Sequence, residues 1–357
     1  NLEIRDFLAV VVVNASLKKS VFQEQLKKIS SENLVFVGDE CHHNGEKGLD
    51  SKLPKANYRL GLSATPWSKG ETDLKKKLKS YYDRRVDKYS LEMAMDDDVL
   101  TPYLYHIYPV AFNSEEAEVY EELSKNISRE YAKKFSGKKI DETILQNMLF
   151  KRARVLDSLE SKFDKLGEIL KERKPSPYTL FYCGSGSVES DDDPDDPDGG
   201  NRTRSIKIVT SILHENHWSN ARFTAQETPL QRRNHLSDFK ATTIDAIAAI
   251  KVLDEGFDVP MCREAYITAS SRNERQFIQR RGRILRKDDQ KTEAIIHDFV
   301  ILHDDTSNPV YQELASSEFK RVMEFYNAAS NKEDLLPKIN NLVSQYNISL
   351  VEDKIYD

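Results

Sequence analysis

The stretch VFVGDECHH, residues 35–43, joins a short apolar run to two adjacent carboxylates, Asp39 and Glu40. Short apolar runs rich in β-branched residues are typical of strands buried in a parallel sheet. Ligands of open α/β sheets bind at the carboxyl ends of the strands, so the acidic pair is a candidate for handling the magnesium and phosphates of a nucleotide. The polar end of a buried strand is the alternative. A zinc site on the following Cys-His-His is disfavoured because contiguous side chains diverge.

Length and composition bound the class of protein. With 357 residues, 39% hydrophobic and 31% charged, the chain is long enough for two or three domains. Three scattered cysteines do not form a disulfide framework. The sequence has no apolar run of the ~18 residues that span a membrane, and residues 1–13 carry charges that do not suit a secretory signal. We expect a cytoplasmic, nucleoid-associated or nuclear location and no membrane partner.

The charge is unevenly distributed. The net charge is −6, and the segment DDDPDDPDGG (191–200) alone holds six aspartates, so the rest of the chain is formally neutral. Its proline and glycine content predicts a solvated surface loop without chemistry. The segment RNERQFIQRRGRILRK (272–287) carries seven Arg or Lys against one Glu. A basic site on a neutral body remains compatible with a nucleic-acid or phosphate ligand.

Hydrophobic patterning predicts an α/β fold with two parallel-sheet domains. In the first domain, 1–110, we expect a helix at 21–29 and strands at 7–13, 33–37 and 58–62. Residues 111–175 form a predicted helical insert, and residues 306–357 a helical tail. In the second domain, 176–305, we expect strands at 178–183, 221–225, 244–250, 264–270 and 293–300, and helices at 205–213, 229–239 and 276–286.

The motif QRRGRILR (279–286) is the strongest functional signal. On a helix, Gln279, Arg283 and Arg286 follow the spacing i, i+4, i+7 and share one face. Two guanidinium groups on one face repel each other unless an anion is present, and a triphosphate is a suitable anion. The alternative is a solvated basic helix, although apolar residues on the same segment favour burial of its other side.

Two further segments give only weak functional signals by themselves. LGLSATPW (60–67) places a Ser-Ala-Thr turn after a strand, which can be structural punctuation. VLDEGFDVP (252–260) follows a predicted strand with alternating carboxylates and a glycine. Such a loop can approach a ligand closely and accept hydrogen bonds from ribose hydroxyls.

In their order along the chain, DECH, SAT, DEGFDVP and QRRGRILR resemble motifs II, III, V and VI of superfamily 2 helicases and translocases. The resemblance covers roughly residues 5–302 and looks most like the branch of XPB-type and Swi/Snf-like double-stranded DNA translocases and of restriction-enzyme helicase subunits. It implies two RecA-like domains, ATP as substrate with Mg²⁺, and a nucleic-acid partner, DNA rather than RNA. Protein partners in a larger complex are also implied.

The resemblance also implies roles for individual residues. Asp39 would hold Mg²⁺ through water, Glu40 would be the general base, and His42 would couple the site to Ser63 and Thr65. From the second domain, Gln279 would join this coupling, and Arg283 and Arg286 would act as arginine fingers. Three loop residues would line the ribose side of the nucleotide: Glu255, Gly256 and Asp258. Nucleic-acid backbone contacts would come from Asn14, Ser16, Gly184, Ser185, Arg222, Thr224 and Lys251.

One motif of the family is missing. The phosphate-cradling pattern G-x-x-x-x-G-K-[ST] does not occur in the 357 residues. We expect it to precede the sequence given, as part of a longer first domain. The competing hypotheses are the motor subunit of a restriction or anti-phage complex, and a non-catalytic scaffold that binds nucleic acid without hydrolysing ATP.

Overall fold

The computed structural model describes residues 8–67, 71–136, 140–184, 200–250, 259–269 and 274–349. The chain divides into two compact units, Asn1–Tyr89 and Ser90–Asp357. The predicted boundary at residue 110 therefore lies inside the second unit. The reason is that the strand Tyr103–Ala111 pairs along its whole length with the last strand of that unit's sheet.

The first unit contains a small parallel sheet. Its strands are β1 (Val35–Gly38) and β2 (Tyr58–Gly61), and its helices are α1 (Asn14–Leu17), α2 (Ser20–Leu26) and α3 (Thr72–Tyr82). Short 3₁₀ turns cover Ser31–Asn33, Cys41–Gly45 and Asp50–Lys52. The strands β1 and β2 confirm the predictions for 33–37 and 58–62, and α2 that for 21–29.

The strand predicted at 7–13 is wrong. The described residues 8–13 form no strand, and most of them are exposed, Val11 fully. An apolar β-branched run favours a strand only when a neighbour accepts its backbone hydrogen bonds. Among the described residues of this unit, β1 and β2 pair only with each other.

The two faces of the β1–β2 sheet differ. On one face, Phe36 meets the ring of Tyr81 from α3 edge-on at 5.9 Å, and the Arg59 guanidinium lies 5.1 Å from the same ring centroid. The opposite face presents exposed apolar side chains from both strands: Val35, Val37, Tyr58 and Leu60. Helix α3 thus anchors only one side of the sheet.

The described part of the second unit contains a six-stranded sheet. Its strands are β3 (Tyr103–Ala111), β4 (Thr179–Cys183), β5 (Asn220–Phe223), β6 (Ala246–Ile250), β7 (Glu264–Ile267) and β8 (Ala294–Leu302). The order is β3-β8-β7-β4-β6-β5, and all five pairings are parallel. The central strand β4, TLFYC, is buried at every position, as expected for a strand covered on both faces.

Helices cover both faces of this sheet. They are α4 (Leu91–Asp96), α5 (Ser114–Phe135), α6 (Glu142–Asp157), α7 (Glu160–Lys171), α8 (Gly200–Glu215), α9 (Pro229–Lys240), α10 (Glu274–Ile284), α11 (Pro309–Tyr326) and α12 (Lys332–Gln345). Apolar side chains of α5 to α8 and of the first turns of α11 pack on one face of the sheet, and those of α9, α10, α12 and the rest of α11 on the other. This three-layer arrangement confirms the α/β class, the helical insert and the helical tail. In the described ranges, no helix combines the length and the apolar character needed to cross a bilayer.

A buried ionic network ties α11 to β8. The Arg321 guanidinium donates to Asp298 through Nε at 3.0 Å and Nη2 at 3.1 Å, and to Glu318 through Nη1 at 3.0 Å and Nη2 at 3.1 Å. All three side chains are at most 2% exposed. The Tyr105 hydroxyl and the Ile301 backbone N–H also donate to these carboxylates, at 2.7 and 3.0 Å. Each buried charge is therefore paired and hydrogen-bonded.

Candidate functional site

The acidic pair lies at a sharp turn after β1. Glu40 has φ 45° and ψ 51°, the left-handed region that non-glycine residues rarely adopt. After this turn, the Cys41 N–H donates to the Leu62 carbonyl and the Leu62 N–H donates to the Gly38 carbonyl, both at 2.9 Å. These bonds extend the β1–β2 pairing and bring the DECH and SAT segments together.

A histidine connects the two segments. His42 Nδ1 lies 3.3 Å from Glu40 Oε2 and 3.2 Å from Ser63 Oγ, and the Thr65 N–H donates to Ser63 Oγ at 3.3 Å. His42 is 7% exposed, so its ring is held in place by its surroundings. An ionised carboxylate only accepts hydrogen bonds, so Nδ1 carries the proton when it faces Glu40. The geometry suits the predicted coupling role of His42.

The carboxylate of Asp39 faces outward beside this connection. Asp39 is exposed, and its Oδ1 accepts the Glu40 N–H at 3.0 Å. Carboxylate oxygens are the ligands that Mg²⁺ prefers, and a single carboxylate can serve together with water and phosphate oxygens. The position and chemistry of Asp39 therefore fit the predicted magnesium role.

Two residues beneath the turn escaped the sequence analysis. Asn44 Nδ2 donates to the Tyr82 hydroxyl at 2.5 Å, and a side chain on Gly38 would collide with both groups. Burial raises the pKa of the Tyr82 phenol to about 12, so it stays protonated at neutral pH. Because Asn44 and Tyr82 are 38 residues apart, no local sequence pattern predicts their contact.

The arginines of helix α10 differ in how far they are buried. Arg280 and Arg281 are buried at 4% exposure, with guanidinium carbons 5.6 Å from the Tyr182 ring and 5.1 Å from the Phe325 ring. Arg281 also donates to the Glu324 carbonyl. Gln279 and Arg283 are half-buried. Among the described side chains of α10, Gln279 and Arg283 are more accessible than the two buried arginines and are therefore candidates for contacting a ligand.

The predicted helical position of Arg286 is wrong. Helix α10 ends at Ile284, and Arg286 forms an isolated antiparallel bridge with Leu100. The Thr101 N–H donates to the Leu285 carbonyl at 2.7 Å. The backbone of residues 285–286 pairs with residues 100–101. It therefore cannot continue the helix by another turn. Arg286 is exposed but does not share the helix face of Gln279 and Arg283.

The residues predicted to contact the nucleic acid or the ribose fall into three groups. In the first unit, Asn14 is exposed and Ser16 half-buried, both on α1. In the second unit, Gly184 and Thr224 follow the carboxyl ends of β4 and β5, with Arg222 exposed on β5. Gly184 is buried against the Asp157 side chain. The others lie outside the described residues: Ser185, Lys251, Glu255, Gly256 and Asp258.

Parallel sheets, an acidic pair after β1 and an arginine helix define a nucleotide-dependent α/β motor class. Family models agree with this class: residues 6–136 match the SWI2/SNF2 ATPase family, and residues 200–288 match the helicase conserved C-terminal domain. The chain belongs to superfamily 2 of helicases and translocases.

Individual proteins are also similar to this chain. The chain is 25% identical over 296 residues to the DNA 3'-5' translocase XPB2 of Sulfurisphaera tokodaii, covering 74% of this chain and 58% of that protein. The fold resembles the ATP-dependent Type ISP restriction-modification enzyme LlaBIII bound to DNA, with a TM-score of 0.50 and 15% identity over 92% of this chain and 22% of that one. For Dbp5 of S. cerevisiae bound to RNA and ADP BeF3, the TM-score is 0.45 and the identity 12%, over 93% of this chain and 68% of that one.

Proposed function

We propose that the protein is an ATP-dependent translocase or helicase that acts on double-stranded DNA. The observation that carries the proposal is the contact of His42 with both Glu40 and Ser63 at the end of β1. It places a carboxylate, a histidine and a second segment in one hydrogen-bonded unit, as a nucleotide-responsive site requires. The relative from S. tokodaii, a DNA 3'-5' translocase by name, supports DNA as the substrate.

In this proposal, Glu40 orients and deprotonates the water that attacks the γ-phosphate of ATP. Its left-handed backbone directs the carboxylate toward His42, which is in turn held against Ser63. A change in the nucleotide can therefore be passed from Glu40 to the SAT segment. Asp39 would hold Mg²⁺, which supplies neutralising charge at the phosphates when it is bound.

Arg283, with Arg286 as a second candidate, would stabilise the charge that develops on the γ-phosphate. Arginine fingers contribute about 10³ to 10⁵ in rate. Because the carboxylates and arginines come from different units, hydrolysis would depend on the units closing around ATP. Cycles of closing and opening would then move a DNA strand held through its phosphates.

The test is a DNA-stimulated ATPase assay on the full-length protein. Glu40→Gln removes the base and should lower kcat by about 10²-fold or more, and Arg283→Ala should lower it by about 10³-fold. Glu46→Gln is the matched control, since Glu46 is an exposed carboxylate six positions away that contacts His43. Wild-type rates in both Glu40→Gln and Arg283→Ala would show that the catalytic assignment is wrong.

Binding separates a motor from a scaffold. A fluorescent ATP analogue and a labelled DNA duplex are titrated against the full-length protein, separately and together. A motor should bind DNA with an affinity that changes with the nucleotide. DNA binding that is indifferent to ATP, together with no hydrolysis, would support the non-catalytic scaffold instead.

A further inference from the structure

A buried lysine contacts the end of the arginine helix. Lys291 is 3% exposed and lies just before β8. Its Nζ donates to the carbonyls of Ile284 and Arg286, the latter at 3.0 Å, and lies 3.4 Å from the Pro260 carbonyl. One ammonium group thus joins the C-terminal end of α10 to the chain that follows residues 251–258.

The chemistry of a helix end explains why a cation suits this position. The last carbonyls of an α-helix have no intrahelical partner and carry partial negative charge. A lysine ammonium offers three donors, which matches the three carbonyls around Lys291. An apolar side chain of similar length would fill the space but would leave these buried oxygens without donors.

The charge of Lys291 is maintained against its surroundings. Burial lowers the pKa of Lys291 to about 8, while Cys262 and Asp288 favour its charged form and Arg263 opposes it. Within the described residues, the structure therefore retains a buried charge where only backbone carbonyls are contacted directly. Burying a charge without an ionic partner costs free energy, which points to a role for the exact placement of those carbonyls.

The placement concerns Arg283, which the proposed function uses, and Pro260, the last residue of the DEGFDVP motif. Ile284 directly follows Arg283, and Pro260 closes the DEGFDVP segment. Thr101 also binds this end of the helix. Its N–H donates to the Leu285 carbonyl at 2.7 Å, and its hydroxyl donates to the Arg286 carbonyl at 3.3 Å. We propose that Lys291 is a positioning residue that fixes Arg283 relative to Pro260. The inference rests on the proposed role of Arg283.

A double-mutant cycle on the full-length protein tests it. DNA-stimulated kcat and the KM for ATP are measured for wild type, Lys291→Met, Arg283→Ala and the double variant. Lys291→Met should lower kcat about 10-fold with little change in KM, and should have no further effect when Arg283 is already alanine. Lys338→Met is the control, because Lys338 donates to the Ile107 carbonyl at 2.6 Å, away from α10, and its loss should leave kcat unchanged.

The pH profile supplies a readout that a purely structural lysine would not change. Lys291 loses its proton as the pH rises through about 8. The kcat advantage of wild type over Lys291→Met should therefore be complete below that pH and shrink above it. If Lys291→Met does not fold, Lys291→Gln, which keeps two N–H donors, takes its place in the cycle.

The outcomes separate the two claims. If Arg283→Ala lowers kcat but the Lys291 variant does not, or if the two effects multiply in the double variant, the positioning role is overturned and the proposed function stands. If Arg283→Ala leaves kcat unchanged, the proposed role of Arg283 fails and the positioning role with it, while the proposed function is overturned only if Glu40→Gln also keeps the wild-type rate.

Discussion

Replacing Arg321 by methionine is the perturbation with the clearest expected magnitude. The guanidinium makes four hydrogen bonds, at 3.0 to 3.1 Å, to Asp298 and Glu318, whose side chains are 0% and 1% exposed. Methionine fills most of the space but leaves two carboxylates buried without their cation. Breaking a buried ion pair from one side costs about 3–5 kcal/mol, so we expect the free energy of unfolding of the second unit to fall by roughly 4 kcal/mol.

Urea denaturation followed by tryptophan fluorescence measures this loss. The sequence has two tryptophans, and Trp218 is a buried reporter of the second unit. A Trp67→Phe background removes the signal of the first unit. With an m-value near 3 kcal/mol per molar urea, the midpoint should fall by about 1.3 M. Lys320→Met is the matched control, because this neighbouring lysine on α11 is exposed and its change should stay within about 0.5 kcal/mol.

Two results decide the matter. If the midpoint of Arg321→Met falls no further than that of Lys320→Met, the network does not stabilise the unit in the way described. Adding Asp298→Asn to Arg321→Met should recover part of the loss, since it removes one of the two uncompensated charges. A double variant less stable than Arg321→Met would contradict the electrostatic explanation and favour loss of packing.

Two other predictions concern the same unit, and a third concerns the cysteines of both units. Gly184→Ala should lower the melting temperature, at a cost of about 1–3 kcal/mol, because a methyl group would collide with the Asp157 side chain; Gly167→Ala, on α7 with no neighbour closer than 4.0 Å, should be neutral or stabilising. Burial lowers the pKa of Lys162 from 10.5 to about 8, so the unfolded chain binds this proton more tightly. Between pH 8 and 10.5 the contribution of Lys162 to stability therefore rises with pH, and the difference in unfolding free energy, wild type minus Lys162→Met, should increase by up to ~1.4 kcal/mol per pH unit; a difference independent of pH would contradict the shift. The three cysteines are buried and burial raises their thiol pKa values, so a thiol reagent should label them only after denaturation, and rapid labelling of the native protein would disprove this.

Local sequence determined most of the elements. Apolar runs such as TLFYC (179–183) are buried in the six-stranded sheet, and the helical spacing of the insert and tail depends only on neighbouring residues. The motifs were also visible in the sequence, because DECH and QRRGRILR are contiguous. The contact of His42 with Ser63 was expected from the resemblance, whereas the distances and the left-handed turn at Glu40 came from the structure.

The missed features depend on partners far along the chain. The run at 8–13 has strand-forming residues, yet strand formation requires a neighbour to receive its hydrogen bonds. The strand β3 was not predicted from the sequence, because its partner β8 lies almost 200 residues later. Pattern analysis detects which side chains can be buried, but not which backbone will cover them.

The arginine motif shows most clearly which features the sequence predicts and which ones depend on the tertiary structure. The sequence by itself predicted a basic, amphipathic helix at 276–286 with a buried apolar side, although the helix ends at Ile284. Only the tertiary structure decided that Arg280 and Arg281 turn inward, that Arg286 leaves the helix to pair with Leu100, and that Lys291 binds the helix end. The physical reason is that these choices are made by backbone carbonyls and aromatic rings of distant segments, whose proximity is a property of the folded chain.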